Sequence, residues 1–197
     1  MFPIFLKLDG RRCLVVGAGN VAEGKIRGLL EARASVEVVA HQAVWQIQKW
    51  AWEGVIGWKP RAFEPSDLDQ VSIVIAATSI REVNKQVFEQ ARLRNVLCNA
   101  VDDPDNCDFY YPAVVNRGDL QIAISTGGRS PALAQRLRRE LEEQFGPEYE
   151  SWVNELGKAR EELTAQNQDP EARKQLLHEI ASREAFINRN SAQRGEN

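Results

Sequence analysis

The stretch Cys13-Leu14-Val15-Val16-Gly17-Ala18-Gly19-Asn20-Val21-Ala22 decides the fold. Four apolar residues read as a buried strand, the glycines as a tight turn, and Val21, Ala22, Ile26, Leu29 and Leu30 recur at the spacing of one helix face. A G-x-G-x-x-A sequence set between strand and helix is the form that binds a dinucleotide. Gly17 permits the turn, Gly19 lets the main chain approach a pyrophosphate, and Ala22 is small enough for the helix to pack on the strand. Amides at the helix start, on Asn20, Val21 and Ala22, then face the phosphates. A tight turn with no ligand is the alternative, and the strand-to-helix context argues against it.

Outward from this turn, short β-rich runs alternate with helical patterns, as in repeated βαβ units that build a parallel sheet. Val36, Val38 and Val39 mark a second strand, residues 55–58 a weak third, 71–77 the clearest buried strand, 83–94 a helix and 96–98 a further strand. Dinucleotide sites place an acid after the second strand to hold the ribose hydroxyls. Here Ala40-His41-Gln42 stands in that place and Glu37 falls too early, so His41, Gln42 or main-chain groups are left to meet the ribose. No arginine lies between Arg33 and Arg61 to receive a 2′-phosphate, which favours NAD over NADP. Thr78, ending the 71–77 run, is placed to line the same crevice. A plain exposed residue at His41 and a plain strand end at Thr78 are equally good readings.

Asn99-Ala100-Val101-Asp102-Asp103-Pro104-Asp105 would put Asp102 and Asp103 at the sheet's carboxyl edge, where a carboxylate can take a proton while the cofactor takes a hydride. A solvated turn has the same composition. Beyond residue 108 the βαβ pattern stops. Residues 110–115 and 120–125 flank the turn-prone 116–119 as a hairpin. Thr126-Gly127-Gly128-Arg129-Ser130-Pro131 is a second glycine-rich loop entering a helix, a nest for an anion with a serine cap and a first-turn proline. Arg129, Arg136, Arg138 and Arg139 could receive substrate carboxylates, or the helical ones could pair with Glu140, Glu142 and Glu143. Leu133, Leu137, Leu141 and Phe145 form a stripe that needs a partner surface. The tail from Pro147 reads as two helices separated at residues 166–170, with fraying after Asn188.

At 197 residues, 43% hydrophobic and 27% charged, the chain is an ordinary globular protein with one main domain and an appendage. A net charge of -3 supplies no general pull toward phosphate backbones, so no nucleic-acid partner is expected. No apolar run approaches the ~20 residues that span a bilayer, and the N-terminus lacks a secretory pattern, so no membrane partner is expected and the cytoplasm is the default. Cys13, Cys98 and Cys107 read as reduced thiols, Cys13 within the core. Cysteine and histidine spacing suggests no permanent metal, and His41 and His178 have no nucleophile companion.

These motifs together resemble a known family, the precorrin-2 dehydrogenases and sirohydrochlorin ferrochelatases, which also form the N-terminal part of siroheme synthases. The resemblance rests on Pro3-Ile4-Phe5, the run from Arg12 to Ala22, Ala76-Ala77-Thr78, Asn99-Ala100-Val101-Asp102 and Ser125-Thr126-Gly127-Gly128-Arg129-Ser130-Pro131, in order over residues 2–145. It implies an α/β protein: an NAD-binding Rossmann domain over 1–112, a hairpin-plus-helix dimerisation segment over 113–146 and a helical domain over 147–197. It further implies oxidation of precorrin-2 to sirohydrochlorin, then insertion of Fe2+ as a substrate to give siroheme. Asp102 matches the family's catalytic aspartate, and Asn99, Thr126, Gly127, Gly128, Arg129 and Arg136 become substrate-binding candidates. A homodimer is implied, as is a separate uroporphyrinogen methyltransferase upstream. Arg33 stands where the family usually has a helix-ending glycine, a position that would demand positive φ. A dehydrogenase without chelatase activity, or a regulatory module that senses NAD without turnover, are the competing readings.

Overall fold

The computed structural model describes residues 1–166 and 169–195, and the chain divides into two compact units, Met1–Tyr111 and Pro112–Asn197. In the first, β1 (Arg12–Val16), β2 (Ser35–Val39), β3 (Gly57–Lys59), β4 (Ile73–Ala76) and β5 (Leu97–Ala100) make one parallel sheet in the order β3-β2-β1-β4-β5. The helices between them are α1 (Asn20–Glu31), α2 (Trp45–Trp52) and α3 (Arg81–Leu93). Alternation along β1 sends Cys13 and Val15 to a layer with Ile26 and Leu29 of α1, and Leu14 and Val16 to one with Val87 and Phe88 of α3. Burial of both faces is why this strand is apolar without a gap. Strand order reverses between β1 and β4, and sheets of this Rossmann type bind ligands at that reversal, beyond the carboxyl ends of the strands.

Several element limits differ from the sequence reading. β3 starts at Gly57 and not Val55, and β4 at Ile73, after a turn in which Gln70 takes φ 59°. β5 runs past Cys98 to Ala100, because pairing of Asn99 with Ile75 and Ala100 with Ala76 overrides the poor strand preference of asparagine. α3 begins at Arg81, two residues before Val83. α2 was missed in the sequence: Val44, Ile47 and Ala51 do fall at helical spacing and pack on the core, but there is no side-chain cap at Val44, and Trp45 and Trp52, both exposed, obscure the apolar face. Arg33 takes φ 57° just past α1, as its position required.

The β2–β3 edge is locked by an ion network that the sequence reading did not anticipate. Glu37 in β2 bonds Arg12 and Lys59, Lys59 reaches Asp67 at 3.3 Å, and Arg61 grips Asp67 at 2.6 and 2.8 Å. The Asp67 side chain is 1% exposed. Burial pushes its carboxyl up, but the Arg61 guanidinium, the Glu64 amide and the Lys59 ammonium outweigh this and hold its pKa at about 2.

In the second unit, β6 (Ala113–Arg117) and β7 (Leu120–Ile124) form an antiparallel hairpin. Its first strand starts at Ala113 and not Tyr110, since Pro112 has no N–H to donate. α4 (Pro131–Gln144) follows, and Arg117 closes its C-terminal end by donating to the carbonyls of Phe145 and Glu142. The tail holds α5 (Glu148–Ala165), α6 (Pro170–Ile180) and α7 (Arg183–Gly195), one helix more than expected. The extra break falls at Ala181-Ser182, where the Ser182 hydroxyl accepts from the Ala185 amide. Asp169 caps α6, its side chain accepting from the Glu171 and Ala172 amides, while Asn167 and Gln168 of the expected separator lie outside the described residues. Fraying after Asn188 is corrected: α7 continues to Gly195, with Arg189 bonded to Glu155 and Ser151 of α5.

Candidate active site

β1 delivers the chain to Gly17, which takes φ 107°. A Cβ there would lie 2.5 Å from the Ala77 carbonyl oxygen, so both conformation and contact demand glycine. Hydrogen bonds fix the turn on both sides, the Gly17 amide to the Val39 carbonyl at 2.9 Å and the Ala77 amide to the Val16 carbonyl at 2.8 Å. Gly19 is different. Its φ is -86°, a Cβ would meet nothing within 4 Å, and as the residue capping α1 it offers no side-chain acceptor to the helix. The first-turn amides, with those of Asn20, Val21 and Ala22 among them, therefore have no side-chain cap and an open approach. This arrangement fits a dinucleotide pyrophosphate, whose oxygens would accept from them. His41 and Gln42 are exposed in the loop after β2, which the Val44 amide ties to the Ala18 carbonyl at 2.9 Å.

Thr78 lies on the same edge, after β4. Its amide donates to Asn84 Oδ1 at 3.1 Å and its hydroxyl lies 2.7 Å from the same atom, while Asn84 Nδ2 returns a bond to the Thr78 carbonyl. Buried Asn84, missed in the sequence, thus braces the loop through Thr78. Because a polar residue on α3 four positions after Ile80 has no pattern around it, no local signal exposes its role.

The two aspartates after β5 separate cleanly. Asp103 is buried and accepts from Asn106 Nδ2 at 2.8 Å and Arg81 Nε at 3.3 Å. The Asn106 bond, with Arg81 behind it, holds its carboxyl below the ordinary range. Asp102 takes φ 59°, is exposed, and makes no hydrogen bond or ion pair among the described residues. Asn99, expected on the substrate, is buried and donates to the Phe109 carbonyl at 2.8 Å. The Cys107 thiol donates toward the Ala100 carbonyl at 3.1 Å, and the Asp108 amide bonds the Cys98 carbonyl at 2.7 Å. Residues 101–109 are thereby a braced loop in which Asp103 and Asp108 are bonded, while the Asp102 and Asp105 carboxylates stay exposed without a hydrogen bond or ion pair among the described residues. Near Asp102 stands Lys25 of α1, its ammonium 3.5 Å from the centre of the Tyr111 ring. Burial pulls the Lys25 pKa down, and the charge of Asp102 opposes that pull. Lys25 was overlooked, although its spacing of four from Val21 puts both on one face of α1. The cysteines are free thiols, and burial pushes Cys13 up to about 11 and Cys98 to about 12.

In the second unit Gly127 and Gly128 take φ 65° and 78°. The Ser125 hydroxyl accepts from the Gly127 amide at 3.2 Å, the Thr126 hydroxyl from the Ser130 amide at 3.1 Å, and the Ser130 hydroxyl from the Leu133 amide at 3.3 Å. Arg129 is exposed; its amide donates to the Thr126 carbonyl at 3.2 Å, and its guanidinium has no partner among the described residues. Arg136 is paired with Glu140 at 2.7 Å and Arg138 with Glu142, the ordinary helix-surface alternative raised by the sequence.

A parallel sheet with an uncapped glycine turn at its order reversal, and a free carboxylate on the same edge, defines a dinucleotide-binding protein of the Rossmann class. Residues 4–113 match the family described as "Putative NAD(P)-binding", and residues 117–144 the one described as "Sirohaem biosynthesis protein central". A solved structure titled "SirC, precorrin-2 dehydrogenase" superposes with a TM-score of 0.80 at 29% identity, covering 93% of this chain and 90% of that one. The siroheme synthase of Acinetobacter baylyi is 38% identical over 181 residues, 91% of this chain and 40% of the relative. That of Citrobacter koseri is 46% identical over 140 residues, 71% of this chain and 31% of the relative. The chain thus spans between 30% and 40% of the length of the siroheme synthases it matches. It belongs to the family of precorrin-2 dehydrogenases and siroheme synthases.

Proposed function

We propose that this protein oxidises precorrin-2 to sirohydrochlorin with NAD and then inserts Fe2+ to give siroheme. The observation that carries this reading is Asp102, held unpaired on a left-handed turn at the sheet edge that also carries the glycine turn. Bound NAD supplies a hydride acceptor. Gly17 and Gly19 shape the seat, the amides at the start of α1 would hold the pyrophosphate, and His41 and Gln42 would meet the ribose hydroxyls. Asp102 accepts the proton that leaves the ring when the hydride departs. Metal insertion displaces protons from ring nitrogens, so the same carboxylate serves both steps. Exposed Arg129 and the neighbouring loop engage substrate carboxylates by charge-assisted bonds. A second copy of the chain covers the α4 stripe, in which Leu133 is 45% exposed.

Anaerobic precorrin-2 and NAD are expected to yield reduced cofactor, and Asp102→Ala to slow this by about 10²–10⁴-fold. Undiminished oxidation and iron insertion in that variant would overturn the assignment. The likeness to a chain titled only as a dehydrogenase favours a second reading, oxidation without chelation. Sirohydrochlorin offered with Fe2+ and no NAD separates the two, since only a chelatase accelerates siroheme formation.

A further inference from the structure

α5 and α6 flank an open cleft of about 690 Å³ that lies wholly within the second unit. Its floor is apolar, with Val153 and Leu156 from α5 and Leu177 from α6. Arg160, Arg173, Lys174 and His178 line it as well, and no carboxylate does. This is opposite to the local composition. From Pro147 to Ala181 there are eight acidic residues and four Lys or Arg, yet three of those four cations line the cleft. Neither Arg160 nor Arg173 has an ion pair among the described residues, and Lys174 has only a 3.7 Å contact with exposed Glu171. Helices rich in glutamate normally set their cations against it at i, i+4, as Arg136 and Arg138 do on α4. Here Arg160 and Arg173 make no such pair among the described residues. Gly157 lies on the same wall in mid-helix, where a Cβ would meet nothing within 4 Å. Folding does not require glycine there, and alanine would favour the helix. An object approaching the α5 backbone would require it.

We infer that this cleft is a holding site for an apolar ring system fringed with carboxylates, the chemical class of a tetrapyrrole polyacid. The apolar floor takes the body of the ligand and the cations take its acid side chains, the combination of apolar lining and few placed polar groups that small-molecule sites use. The choice of a tetrapyrrole as occupant rests on the function proposed above, whereas the charge segregation does not.

The test uses the full chain with saturating NAD and uroporphyrin, an octacarboxylate macrocycle that is already oxidised. Binding is followed by absorbance, and amide hydrogen exchange locates it. Protection is expected in α5 and α6, with affinity falling from uroporphyrin to the tetracarboxylate coproporphyrin, and no protection by citrate, which lacks the apolar body. The double reversal Arg160→Glu with Arg173→Glu is expected to weaken uroporphyrin about tenfold or more. Gly157→Leu, which fills the floor without changing charge, is expected to weaken it similarly while leaving the melting temperature unlowered. Uroporphyrin affinity indifferent to both variants, or no protection in α5 and α6, overturns the inference. If such a protein still oxidises precorrin-2, the cleft assignment alone has failed. Protection in α5 and α6 that the variants abolish, without precorrin-2 oxidation, upholds the cleft and removes the oxidation reading.

Discussion

Two glycine-rich loops, at residues 17–20 and 126–130, each run into a helix and look alike in the sequence. In the folded chain they differ in who satisfies the main-chain amides. Three hydroxyls, on Ser125, Thr126 and Ser130, accept from the second loop and from the start of α4. Among the described residues no side chain does so at the start of α1, where the capping residue is Gly19. Glycine content alone therefore does not make an anion seat. An absent cap leaves donors for a ligand, whereas a hydroxyl cap closes them and leaves the exposed Arg129 side chain as the charged group of that loop.

The harshest way to break the first loop is Gly17→Ala. Positive φ and a Cβ 2.5 Å from the Ala77 carbonyl oxygen are expected together to cost about 3 kcal/mol or more and to abolish NAD binding. Thermal melting and calorimetry check this, and a variant with wild-type stability and affinity would refute the steric account. A control that touches neither loop is Asp67→Asn. Its carboxyl is depressed in the fold from 3.8 to about 2, so the stability it contributes is full above pH 4 and is lost as pH falls through 2. The variant is expected to be about 2 kcal/mol less stable at pH 7 and to lose less on acidification between pH 4 and 2, measured by denaturant titration at each pH. The smallest effects sharpen the contrast itself. Ser130→Ala is expected to cost about 1 kcal/mol with NAD affinity intact. Gly19→Ser is expected to stabilise the free protein by a few tenths of a kcal/mol while weakening NAD, because the new hydroxyl competes with the pyrophosphate for the same amides.

Legibility followed the range of the interactions. Continuous apolar runs in β1 and β4 announced strands buried on both faces, and Ser130-Pro131 announced the start of α4, since a local pattern suffices for each. α2 was hidden because its core-facing positions, Val44, Ile47 and Ala51, are masked in the sequence by Trp45 and Trp52, which the fold leaves exposed. In the site, the turn at Gly17 and the acidic stretch 102–105 were readable. What separates Asp102 from Asp103 was not, because the partners of Asp103 include Arg81, 22 residues away. Likewise Asn99 looked like a substrate ligand until the fold placed the Phe109 carbonyl against it.

Both borders of the five-stranded sheet are blunted against further pairing. β3 is only three residues long and ends in Lys59, a cation bound into the Glu37–Asp67 network. At the other border the chain lays its own Cys107-Asp108 against β5, bridging Asn99 and bonding both the amide and the carbonyl of Cys98. A sheet finished in this way offers no template for a stray strand, so crowding should not drive it toward fibrils. Self-association of the protein must then use side-chain surfaces rather than strand addition to this sheet.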